Sequence, residues 1–116
     1  MKYLLILLLP IILFAKSSFI TPMEYSSSLY KNPRGIGCNN CHGANGEGKI
    51  VAQYIHKKEK KSFFGPSINN INYSKFYRAL SIRKRGMPRY FLTEKEIKAL
   101  YFFLQQKKIE VGKSEK

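Results

Sequence analysis

A chain of 116 residues, 44% hydrophobic and 14% aromatic, has room for one domain with a small packed core and is not the composition of a disordered chain. Lys and Arg number 21 against seven acidic residues, all of them Glu, for a formal net charge of +14. That excludes an acidic carrier or a calcium-type site and leaves nucleic acid, an anionic membrane or an acidic protein surface as partner classes. Two cysteines spaced C-x-x-C cannot build a disulfide framework.

The chain opens as an address label. Lys2 gives a positive start, Tyr3 to Phe14 is apolar apart from Pro10, and Ala15 precedes a polar stretch. This is the layout of a secretory signal, and the run is shorter than the ~20 residues a membrane-spanning helix needs. Cleavage after Ala15 places Leu13 at the third position back. Cleavage after Ser17 places the smaller Ala15 there, so residues 1–17 read as the signal, 18–110 as the working domain and 111–116 as a charged tail. A buried core helix and a retained anchor are the competing readings, the latter because Phe19 and Ile20 extend the apolar character. An exported chain works where thiol oxidation and haem attachment occur.

Three helices follow in order. Thr21-Pro22-Met23-Glu24 is a capping box with Pro at the first helical position, and Ile20 with Tyr25 forms its staple. Tyr25, Leu29 and Tyr30 share a face, and Pro33 with Gly35 ends the helix. A second helix is predicted over Ser74 to Lys84, with Phe76, Tyr77 and Leu80 inward. Thr93-Glu94-Lys95-Glu96 is another capping box, stapled by Leu92 and Ile97, and Ile97, Leu100, Tyr101 and Leu104 recur at helical spacing. Gly43 to Lys49, Lys57 to Ser62 and Gly65 to Asn72 read as loops, and the charged end after Lys107 is expected to fray. Three modest helices and so much irregular chain bury too little apolar area for comfort, so something else should fill the middle.

The chemistry sits in Cys38-Asn39-Asn40-Cys41-His42, the C-x-x-C-H attachment motif of c-type haem. Two thiols three residues apart on a helical turn reach two vinyl-derived carbons on one side of a porphyrin, and the next imidazole falls beneath the iron. Three rivals are weaker. A thioredoxin-like pair wants a strand before the motif and a βαβ pattern, neither of which is present. A zinc site wants four ligands, and only His56 could add to the cluster. The third rival is a chance disulfide.

A sixth iron ligand is sought next. Met87, in Gly86-Met87-Pro88, is the best candidate, because Gly86 permits a close approach and Pro88 biases Met87 toward extended backbone. His56 competes but lies in the basic run before Lys57 and Lys58, where a solvated histidine is the ordinary reading. The Gly65-Pro66 turn offers a carbonyl that could fix the His42 ring through Nδ1, or it is a plain turn.

These stretches resemble a small mono-haem class I c-type cytochrome of the bacterial periplasmic kind. The resemblance is carried by Gly37 to Gly48, by Gly65-Pro66-Ser67-Ile68, and by Gly86-Met87-Pro88 with the capped segment Leu92 to Leu100. It implies an all-α fold of three to four short helices whose long loops wrap one haem c, with the first and last helices crossing beside it. It also implies thioethers at Cys38 and Cys41, axial ligands His42 and Met87, and a Pro66 carbonyl accepting from His42. One departure stands out: Asn32-Pro33-Arg34-Gly35-Ile36 interrupts the path from first helix to motif.

With both axial positions filled by protein, the resemblance implies outer-sphere electron transfer and no enzyme activity: a monomeric periplasmic carrier between respiratory complexes, or to a terminal oxidase or peroxidase. Phe63, Phe64, Ile68, Tyr77, Leu80 and Tyr90 are candidate pocket walls. Lys57 to Lys61, Arg83-Lys84-Arg85 and Arg89 would steer acidic-surfaced redox proteins toward an exposed haem edge, or simply solubilise the surface. Nucleic acid fits the charge but not the export signal. Membrane association follows if the signal stays uncut. The alternatives are a haem-bearing subunit docked on a larger oxidoreductase, or a haem sensor or weak peroxidase if Met87 does not bind.

Overall fold

A computed structural model describes residues 19–82 and 84–115. The signal, residues 1–17, lies outside the described residues, as does Arg83 of the basic run. The elements run α1 (Pro22–Lys31), α2 (Asn39–His42), β1 (Lys49–His56), β2 (Glu59–Gly65), α3 (Tyr73–Ser81) and α4 (Glu94–Ser114). Among the described residues no helix is long and apolar enough to cross a membrane.

Capping fixes where the three longer helices begin. The Thr21 hydroxyl accepts from the Glu24 N–H at 3.1 Å while the Glu24 carboxylate accepts from the Thr21 N–H at 2.8 Å. Thr93 and Glu96 repeat the exchange at 3.2 and 2.7 Å, and the Asn72 side chain accepts from the Lys75 N–H at 2.9 Å. Each exchange satisfies N–H groups that a helix start leaves without partners. Helix α3 therefore begins at Tyr73 and stops at Ser81, short of the expected Lys84.

The core lies where α1 packs on α4, with α3 also against α4. Leu29, Tyr30, Phe76, Ile97, Leu100, Phe103 and Leu104 form it. The Tyr30 and Phe103 rings meet at 4.8 Å between centroids, and Phe76 meets Tyr101 at 5.5 Å. On α1 the buried face is Ser26, Leu29 and Tyr30, so Tyr25 stays exposed and the expected staple with Ile20 lies at the surface. Ser26 tolerates burial because its hydroxyl donates to the Met23 carbonyl at 3.1 Å.

Three other expectations are corrected. The fold is not all-α: β1 and β2 pair antiparallel from Lys49 opposite Gly65 to His56 opposite Glu59, with an irregularity between Ile50 and Ala52. The segment Lys57 to Ser62, expected as loop, is the hairpin turn and the start of β2. Ile50, Val51, Tyr54, Ile55, Phe63 and Phe64 supply the β-branched and aromatic residues a strand favours. The chain end does not fray after Lys107: α4 continues to Ser114, aided by the Lys107–Glu110 pair at 2.7 Å, and takes in most of the expected tail.

The interruption between α1 and the motif is looped out of the helix path. After Asn32 to Ile36 the chain returns so that the Cys38 N–H donates to the Tyr30 carbonyl at 2.9 Å. Gly37 permits the return, because a Cβ there would overlap the Lys31 carbonyl.

Candidate haem site

The motif occupies the single turn of α2, with Cys38 as its N-cap and the His42 N–H donating to the Cys38 carbonyl at 2.8 Å. Helical spacing brings Cys38, Cys41 and His42 to the wall of one cavity. The Tyr30 hydroxyl donates to the Gly43 carbonyl at 2.7 Å and ties the end of this turn to the core. Gly65 closes the other side so tightly that a Cβ would overlap the Cys41 carbonyl. Only glycine fits there.

His42 is buried, and its Nδ1 lies 2.7 Å from the Pro66 carbonyl. A carbonyl only accepts, so the ring is protonated at Nδ1 and its Nε2 lone pair is free to ligate. Met87 stands in the bend between α3 and α4, its N–H donating to the Lys84 carbonyl at 3.3 Å. The φ of +83° at Gly86 requires glycine there, and a Cβ at that position would press on the Phe63 ring at 2.7 Å. Hairpin base and Met87 loop thus meet across the site.

Two adjoining cavities of about 160 and 270 Å³ share Cys38, His42, Pro66, Lys84 and Met87. Together they fall in the range of cofactor sites, on the order of 300–1,000 Å³. Phe63, Phe64 and Tyr90 line the first; Ile68, Ile71, Phe76 and Leu80 line the second. Of the expected pocket walls, Tyr77 is the exception. It is half-exposed and leans on Tyr73 with ring centroids 6.0 Å apart, because Phe76 and Leu80 already set the inward face of α3. Phe76 and Ile71 take its place. The first is the helical partner of Leu80 at i, i+4; the second sits in a loop where no periodicity announces it.

Burial pushes the Cys38 thiol up to about 11, with the nearby Cys41 adding to the rise. The nucleophile of a redox-active C-x-x-C pair is shifted the other way. Among the described residues no three His, Cys, Asp or Glu side chains gather where a metal ion could sit, and His56 is exposed at the far end of β1. The zinc reading therefore lacks its ligand set. Burial also pushes the Tyr90 hydroxyl up to about 12, and it stays protonated as a donor to the Ile36 carbonyl at 2.6 Å.

The residues fit a haem. Two thiols, an imidazole held through Nδ1, and a thioether all border an apolar cavity framed by aromatic rings. The sequence model of the family described as Cytochrome c matches residues 24–108, a span from the first turn of α1 to within α4 that includes all of these groups. Comparison with curated proteins and with solved structures gave no match. Proteins of the matched family carry covalently bound haem c and are generally electron carriers. The chain belongs to the cytochrome c family.

Proposed function

We propose that this chain is an exported, monomeric carrier of single electrons whose haem c is attached through Cys38 and Cys41 and held between His42 and Met87. The observation that carries the reading is that His42, fixed through Nδ1 by the Pro66 carbonyl at 2.7 Å, and Met87 border the same apolar cavities. The haem iron supplies a one-electron couple when bound. The chain does the rest. The Pro66 carbonyl sets the tautomer and plane of the His42 ring, and Phe63, Phe64, Ile68 and Leu80 keep water away. A thioether ligand with an apolar surround favours the reduced state and raises the potential.

Partner recognition rests on charge. Lys84 and Arg85 border the first cavity beside Met87, and Arg89 is placed over the Phe91 ring at 5.4 Å. They present a positive rim suited to an acidic-surfaced reductase, oxidase or peroxidase. Lys57 and Lys58, expected near the haem edge, belong instead to the hairpin turn at the opposite end of the strands from Gly65. At ~3.3 Å per strand residue they stand roughly 20 Å from it and act as a more distant part of the field.

Spectroscopy of the exported ferric protein tests the reading. The wild type is expected to show the weak far-red sulfur-to-iron charge-transfer band, and Met87→Ala to abolish it and lower the potential. A wild type without the band has an open or differently filled sixth position, which favours a sensor or peroxidase.

A further inference from the structure

The five residues that interrupt the path from α1 to the motif send their long-range hydrogen bonds to the stretch following Met87. The Arg34 guanidinium grips the Glu96 carboxylate with both arms, Nη1 to Oε1 and Nη2 to Oε2, each at 2.8 Å. The same Nη2 donates to the Phe91 carbonyl at 2.7 Å. Two residues on, the Ile36 carbonyl accepts from the Tyr90 hydroxyl at 2.6 Å, and a Cβ on Gly35 would touch the Tyr90 ring at 3.5 Å. Arg34 holds a φ of 58°, unusual for a side chain other than glycine, to point its fork this way.

The strap Pro88–Leu92 is the whole connection from Met87 to the cap of α4, and it is tied at Tyr90, at Phe91 and, through Glu96, at its far end. Among the described residues Met87 itself has only the Lys84 carbonyl for its N–H, and its side chain is half-buried. An exposed Arg–Glu pair contributes little to global stability. A planar fork binding a carboxylate and a backbone carbonyl together supplies geometry above all. We infer that Arg34 and Tyr90 are positioning residues: the inserted segment is a clamp that holds the Met87 strap closed over the haem site. The inference rests on Met87 being the axial ligand proposed above.

A closed strap keeps the Met87 thioether at the sixth position, so an added ligand that must displace it binds with its intrinsic affinity reduced by the fraction of molecules in which the strap is open. Imidazole is the probe, titrated into the ferric holoprotein and followed by loss of the far-red band. Loss of charge-assisted hydrogen bonds from the closed form should make Arg34→Leu bind imidazole about tenfold more tightly than wild type. Tyr90→Phe, which keeps the ring and removes one hydrogen bond, moves affinity the same way by less. Arg34→Lys, with one arm in place of a fork, falls between. In a Met87→Ala background, where no thioether has to leave, Arg34→Leu should change imidazole affinity no further.

An equal gain in both backgrounds overturns the inference, since Arg34 would then govern access and not Met87. So does an unchanged affinity beside a lowered urea midpoint, the mark of a purely structural residue. Tyr90→Phe carries the test if Arg34→Leu does not fold. A wild type lacking the far-red band defeats the axial assignment itself, an outcome visible before any clamp variant is made.

Discussion

The two sides of this molecule are built by different rules. On the helical side, Tyr30, Leu100, Phe103 and Leu104 are at most 2% exposed and form one cluster with other side chains of α1, α3 and α4. On the side made of hairpin and loops, every residue of β1 is exposed, and Phe64 is 61% exposed although it borders the deepest chemistry in the chain. A two-stranded hairpin is marginal on its own in water, and a haem of the kind this family carries would give its base an apolar partner. The helices form a packed core whose Tyr30, Phe76 and Leu100 also border the second cavity; the loops form a half-core open to an apolar group. That division is why so short a chain can devote so much of itself to irregular structure.

Substitutions should separate the two sides. The largest effect is expected from Leu104→Ala, which removes a fully buried side chain of the core cluster. Such a cavity costs about 2–5 kcal/mol. Urea unfolding should lose that much while the visible spectrum of the folded protein stays as in wild type. Gly65→Ala comes next, at about 1–3 kcal/mol for a crowded site. Its Cβ strikes the Cys41 backbone, so the expected signature is reversed: a perturbed haem spectrum with the far-ultraviolet helix signal retained. If the two variants gave the same pattern, the division into two sides would be wrong.

A pH titration sharpens the comparison at the seam. The Arg34 guanidinium, with the Thr93 N–H, holds the Glu96 carboxyl down at about 2. A depressed carboxylate stabilises the fold above its unfolded value of 4.5 and loses that contribution as pH falls toward 2. Solvent screening keeps that contribution small, so the urea midpoint should drop only slightly across that window, and Arg34→Leu should flatten even that drop. The smallest effect belongs to Glu94→Gln, which breaks an exposed i, i+4 pair with Lys98 at 2.8 Å. It should leave the urea midpoint within experimental scatter.

The motif residues that gather at the cavity are legible in the sequence because their spacing is local. Cys38, Cys41 and His42 are adjacent, Gly86-Met87-Pro88 is one tripeptide, and the boxes at Thr21 and Thr93 announce two helix starts within four residues each. The hairpin was not legible for an equally local reason. Its turn is Lys57-Lys58, with φ of 50° and 67°, where two-residue hairpins ordinarily place Asn or Gly, so neither strand was marked by the turn signal that identifies a pair. Helical spacing groups Tyr77 with Phe76 and Leu80, but the helix is turned so that Phe76 is its buried residue and Tyr77 stays exposed. The ties from Arg34 to Glu96 and from Tyr90 to Ile36 span 62 and 54 residues, beyond any local pattern. The interruption at Asn32–Ile36 was visible as a departure, but its purpose emerges only when the strand of chain after Met87 is laid beside it.

Intact mass of the protein recovered after export tests the central claim most directly. The expected product carries one haem bound irreversibly through both cysteines, and the same spectrum reads off where the mature chain begins. A folded, colourless product with Cys38 and Cys41 both open to alkylation would contradict it.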